Sequence, residues 1–152
     1  MGLPERDVIE REILIDAKPE TVFAFFIDPA KMIKWKGIRA TMDARPGGIY
    51  RVQINAQDVA SGSYVEIQPF DRIVFTWGWE GSDSPLPPGG STVEVTFTPA
   101  SNGTLLRLRH YGLPSPLYNM HVDGWDYFLP RLHAAAEGKD PGRDTQADRS
   151  ID

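Results

Sequence analysis

From Ile38 to Tyr111 apolar residues recur at every second position, in six runs separated by turn-forming residues. Period two marks strands that bury one face, so this stretch folds as sheet and not as a helical bundle. The runs fall at 38–44, 48–56, 59–68, 71–80, 92–99 and 104–111. Pro46-Gly47-Gly48 turns the chain between the first two, Pro69-Phe70-Asp71 separates the middle pair, and Asn102-Gly103 is a strong hairpin signal. Gly81 to Gly90, with Pro85, Pro87 and Pro88, reads as a loop at the tip of the 71–80/92–99 hairpin.

The flanks are different. Residues 8–15 add a strand with Ile9, Ile13 and Ile15 on one face. Pro19 and Glu20 open a helix through Ile27, since proline fits the first helical position and an acid suits the positive end of the helix dipole. Asp28-Pro29 breaks that helix and starts a second over 29–35. Ser115 as cap and Pro116 at the first position then begin a long helix to Ala136, with Gly124 allowing close approach to another backbone and Pro130 bending it. After Glu137 the chain lacks aromatics and is rich in Asp, Arg, Gly and Pro, so 137–152 reads as a disordered polar tail and 1–136 as one domain. The order is α+β, β-α-α-β6-α: a six- to seven-stranded antiparallel sheet whose buried face only the long C-terminal helix can cover. A helix of about 20 residues spans about 30 Å, enough to cross such a sheet.

Composition removes several functions. With no cysteine, a disulfide scaffold, a thiolate metal site and a thiol nucleophile are all excluded. A net charge of −5 argues against nonspecific attraction to nucleic acids or anionic membranes. The longest apolar run is Val22–Ile27, far short of a membrane span, and the first residues lack a signal-peptide pattern, so a cytoplasmic location is expected. No HExxH, two-His-one-carboxylate, GxSxG or phosphate-loop spacing occurs; no metal or cofactor is expected.

The aromatic residues carry the functional signal. There are 4 Trp, 5 Tyr and 7 Phe, all between Phe23 and Phe128. Alternation places Ile73, Phe75, Trp77 and Trp79 on one face of their strand, and Leu106, Leu108 and His110 on the apolar face of the last strand. Helical spacing aligns Met120, His121, Trp125 and Phe128 opposite them, while Phe26, Met32 and Trp35 stand at one mouth. Two readings stay open: these side chains fill an ordinary core, or Phe26, Met32, Trp35, Trp77, Trp79, Leu108, His110, Met120, His121, Trp125 and Phe128 line an apolar ligand pocket. His110 is the candidate acid/base for an enzyme, and equally a satisfied structural histidine. His121 and His133 are on different faces of one helix and do not form a metal pair.

Over Ile9–Leu132 the sequence resembles the activator-of-Hsp90-ATPase-like branch of the START/Bet v 1-type helix-grip superfamily, SRPBCC. The resemblance rests on Pro19-Glu20-Thr-Val-Phe, Asp28-Pro29 with Trp35, Asp43-Ala-Arg-Pro46-Gly47-Gly48-Ile-Tyr50-Arg51 and Arg72-Ile-Val-Phe75-Thr76-Trp77. Thr92-Val-Glu-Val-Thr-Phe97, Asn102-Gly103-Thr104 and Gly124-Trp125 with Leu129 and Leu132 complete it. It implies a curved sheet wrapped around the long helix with a deep cavity between them, and carries over no catalytic set. The leading expectation is therefore a domain that binds a hydrophobic small molecule. The alternatives are a cyclase, dehydratase or hydrolase using His110, and a protein-interaction module, as a homodimer or chaperone partner, needing an exposed patch around Tyr111 or Leu86.

Overall fold

The computed structural model describes residues 8–148. Strand β1 (Ile9–Ile15) is followed by two short helices, α1 (Pro19–Ala24) and α2 (Pro29–Met32). Six strands come next: β2 (Arg39–Met42), β3 (Ile49–Gln53), β4 (Val59–Gln68), β5 (Arg72–Trp79), β6 (Ser91–Ala100) and β7 (Gly103–Tyr111). A 3-10 turn over Ser115–Leu117 leads into helix α3 (Tyr118–Ala136). The strands form one open seven-stranded antiparallel sheet in the order β1-β7-β6-β5-β4-β3-β2. Meander connections account for every neighbour except β1, which crosses to pair with β7 from Ile9 opposite His110 to Ile15 opposite Thr104. The helix-grip architecture read from the sequence is the observed one.

Local chemistry explains the elements. Pro19 occupies the first turn of α1, and the Asp28 carboxylate accepts the Ala30 amide at 2.9 Å to cap α2. The inner face of β5 presents Ile73, Phe75 and Trp77, all buried, and β6 and β7 continue it with Val93, Val95, Phe97, Leu106 and Leu108. Phe23, Phe26 and Trp35 cover one end of this face: Phe26 lies 5.4 Å from Trp35 and 5.5 Å from Phe97, centroid to centroid. On the outer face ion pairs bridge neighbouring strands, with Arg72 and Arg109 both reaching Glu94 and Arg109 also reaching Glu10. Arg11 of β1 donates to both Asp126 oxygens, at 2.7 and 3.2 Å, and ties the sheet edge to α3.

Several expectations are corrected. Ser115 makes no side-chain cap, because α3 starts only after a 3-10 turn that contains Pro116. Gly124 does not approach another backbone: a Cβ there meets nothing within 4 Å. The close approach is at Gly78 instead, where a Cβ would stand 1.8 Å from the Pro87 carbonyl oxygen. That contact exists because the proline-rich loop folds back on β5, with the Trp79 amide donating to the Leu86 carbonyl at 2.7 Å. Leu86 is consequently buried and offers no interaction patch, whereas Tyr111 is exposed.

The tail differs too. Met1–Asp7 and the last four residues lie outside the described residues, but 137–148 is tied down along α3 by its own polar groups. Arg131 donates through Nε to the Trp35 carbonyl at 3.0 Å and through Nη1 to the Gly142 carbonyl at 2.9 Å. The Tyr127 hydroxyl donates to Asp144 and accepts the Thr145 amide at 2.8 Å. Composition reads these residues as disordered because it counts apolar side chains, and this docking uses backbone and side-chain polar groups. Arg131→Ala is expected to cost about 1–2 kcal/mol and to accelerate amide exchange over 141–148. Unchanged exchange there would mean that Arg131 does not hold the segment.

Candidate functional site

A cavity of about 610 Å³ lies between the end of β5, the β3–β4 connection and the first turns of α3. Trp77 and Trp79 come from β5; Met120, His121, Trp125 and Phe128 come from one face of α3. Ile54 and Val59 close it beside β3 and β4, and Pro85 of the folded-back loop stands at its edge. Gly124 leaves it open from the helix side, since any side chain there would project into free space. Three acids of the lining, Asp58, Glu80 and Asp123, are exposed and mark the mouth. Arg51 grips Glu80 at 2.7 and 3.0 Å and holds its carboxyl below the usual range.

The innermost lining residue is one the sequence reading did not single out. Lys36 is only 2% exposed, and its Nζ sits 4.0 Å from the Trp77 ring centroid and 4.1 Å from that of Trp125. The two indoles sandwich it, with Trp35 and Phe128 rings at 5.7 and 5.6 Å. No carboxylate pairs with it among the described residues. Burial alone pushes its pKa well below 10.5. Each unit of such a shift corresponds to about 1.4 kcal/mol of preference for the neutral amine, against about 2 kcal/mol from a desolvated cation–π contact. Lys36 reaches this position because Gly37, at φ +90°, turns the chain from α2 into β2 against Val52. Lysines are rarely buried, so only the flanking Trp35 and Gly37 hinted at it.

Two histidines sit behind the tryptophans, each in one tautomer. The Trp125 indole N–H donates to His110 Nδ1 at 3.0 Å, so Nε2 carries the proton and donates to the Ser91 hydroxyl at 2.8 Å. Ser91 in turn donates to the Trp77 carbonyl at 2.8 Å. In His121, Nε2 accepts the Trp79 indole N–H at 3.1 Å, so Nδ1 donates to the Leu117 carbonyl at 2.8 Å. Desolvation lowers both pKa values below 6.5, and Lys36 adds to the effect at each. Trp35 also has a partner, the Phe25 carbonyl at 3.1 Å. The Trp77 N–H is the one indole donor buried with none.

The expected site residues therefore divide. Trp77, Trp79, Met120, His121, Trp125 and Phe128 are brought together around the cavity. Phe26, Met32, Trp35, Leu108 and His110 are packed into the core behind it and are not part of its lining. Phe26, Met32 and Trp35 do not guard a mouth: Phe26 packs between Phe97 of β6 and Trp35, and all three are buried in the core. His110 has the lowered pKa and polar partners expected of an acid/base, but both ring nitrogens are occupied within the core. Ser91, which completes its chain, carried no signal in the strand alternation. Among the described residues no group of His, Asp and Glu is placed to hold a metal ion, and no helix is long and apolar enough to cross a membrane.

Residues 16–137 match the family described as Activator of Hsp90 ATPase homolog 1-like protein. The solution structure of an AHSA1-like protein from Rhizobium etli is similar, with 40% identity and a TM-score of 0.72 over 95% of this chain and 91% of that one. A crystal structure of a protein from Chromobacterium violaceum is similar at 28% identity and a TM-score of 0.75, covering 87% of this chain and 98% of that one. An uncharacterized protein of Schizosaccharomyces pombe is 28% identical over 111 residues, 70% of this chain; the match spans only 30% of that relative's length. The sheet, the single long helix and this match together place the chain in the Activator of Hsp90 ATPase homolog 1-like family of the SRPBCC helix-grip superfamily.

Proposed function

We propose that this chain is a binding domain for an apolar or aromatic small molecule, held in the cavity between β5 and α3. The observation that carries the reading is a concave space of about 610 Å³ walled by Trp77, Trp79, Trp125 and Phe128. Its size and its mixture of aromatic walls with a few polar groups are those of a small-molecule site. The family relationship is consistent with it and selects no ligand.

Gly124 supplies the test. Because a Cβ there meets nothing within 4 Å, Gly124→Ala is expected to stabilise the helix by about 0.5–1 kcal/mol, measured by chemical denaturation. Gly124→Leu keeps that gain and fills the space. The neutral probe N-phenyl-1-naphthylamine is expected to brighten on binding the wild-type protein, and to bind Gly124→Leu at least tenfold more weakly. Equal binding by the two proteins, or no binding by the wild type, would sink the reading.

A further inference from the structure

We propose that the ligand carries a carboxylate, and that Lys36 Nζ and the Trp77 indole N–H hold it at the inner end of the cavity. The inference rests on the binding function just proposed and adds the chemical class of the ligand's head group.

Two residues that line one cavity carry donors without acceptors. Lys36 is 2% exposed, belongs to the lining, and has neither a hydrogen bond nor an ion pair at Nζ among the described residues. Trp77 is 3% exposed, and its N–H is buried with no partner. In folded proteins a buried ammonium is paired and a buried donor is bonded. Every other tryptophan here follows that rule, with partners Phe25, His121 and His110. Nζ lies 4.0 Å from the Trp77 ring, so both donors belong to one small neighbourhood. A carboxylate has two oxygens, one for each donor, and supplies the counter-charge that the pocket lacks. A phosphate asks for more donors than two indole-walled groups offer, and arginine is absent from the lining.

The charges of the lining also set orientation. Asp58, Glu80 and Asp123 are at the exposed mouth, and Lys36 is at the buried end. An acid is repelled at the mouth and attracted at the floor, so the head group goes inward. The apolar body then lies against Trp79, Phe128 and Met120, the last of which is 48% exposed at the rim.

The test is displacement of N-phenyl-1-naphthylamine by two matched pairs, 2-naphthoate against 2-naphthamide and decanoate against decanol. In the wild type the acid of at least one pair is expected to bind tenfold or more tightly than its neutral partner; which pair responds separates aromatic from alkyl acids. Lys36→Met should abolish that preference, the affinity of the acid falling tenfold or more toward that of its neutral partner. Trp77→Phe, which keeps an aromatic ring but removes the N–H with part of the indole, should lower acid affinity severalfold more than that of the neutral partner. Acid and neutral partners binding alike, or Lys36→Met weakening both equally, would overturn the carboxylate assignment and leave the cavity function standing. Failure of the neutral probe to bind the wild type would remove both.

Discussion

His110→Ala is expected to lower the free energy of unfolding by about 3–5 kcal/mol, among the largest effects available to a single substitution here. The ring is fully buried, and its removal opens a void between β7 and Trp125. It also strands the Trp125 indole N–H and removes the donor to Ser91, and an orphaned buried polar group costs about 1–3 kcal/mol. His110→Gln retains an acceptor and a donor on one side chain and should lose less than half as much. Urea denaturation read by tryptophan fluorescence measures both. A loss below about 1 kcal/mol for the alanine variant would show that the chain Trp125–His110–Ser91–Trp77 carries little stability.

The same histidine leaves a mark on the pH profile. Desolvation keeps the folded-state pKa of His110 and His121 below 6.5, so as pH falls the unfolded chain takes up these protons first. Their contribution is complete above 6.5 and is lost as pH falls from there through the folded-state values. The slope is up to about 1.4 kcal/mol per pH unit for each histidine. In His110→Ala one of the two contributions to that slope disappears.

Lys36→Met is expected to act in the opposite direction, stabilising the protein by about 1–3 kcal/mol at neutral pH. Methionine has nearly the same length, packs against Trp77 and Trp125, and need not be dehydrated or neutralised. The sign with pH is specific. The lysine of the unfolded chain titrates near 10.5 and the buried amine well below that. Between the two the unfolded state binds one more proton, so wild-type stability rises with pH through this window. The advantage of the variant is therefore full below the folded-state pKa, shrinks across the window and vanishes near 10.5. Buried Tyr50 and Tyr64, whose pKa values burial pushes up, act oppositely above 10. They act equally in both proteins and cancel in the difference. A difference independent of pH would mean that Lys36 is not dehydrated in the folded state.

How much of this was legible in the chain differs by residue. The β5 alternation of Phe75, Trp77 and Trp79 put three rings on one face, and the spacing of Met120, His121, Trp125 and Phe128 put four side chains on another; both faces are as expected. The pattern groups Trp35 with Phe26 and Met32 of the short helices at a cavity mouth, but its indole is bonded to the Phe25 carbonyl and its ring packs on Phe26. An aromatic residue carries the same pattern signal whether it fills a core or walls a cavity. Leu86 lies in a loop and Ser91 at the start of a strand, so their burial depends on the loop folding back across Gly78.

The sequence by itself determined the order of elements, the sheet and the covering helix, because periodicity and turn residues are local properties repeated over many positions. The family was legible only as a resemblance of its motifs in order and spacing. Only the tertiary structure decided that an amine occupies the floor of the cavity. Lys36 stands between buried Trp35 and Gly37 but two residues from exposed Lys34 and Ile38, so its neighbours in the chain point both ways. It is enclosed by Trp77 and Trp125, which stand far from it in the chain and meet over it when α3 closes on the sheet. Whether a charge is solvated or trapped depends on that closure, a long-range event that local pattern does not encode.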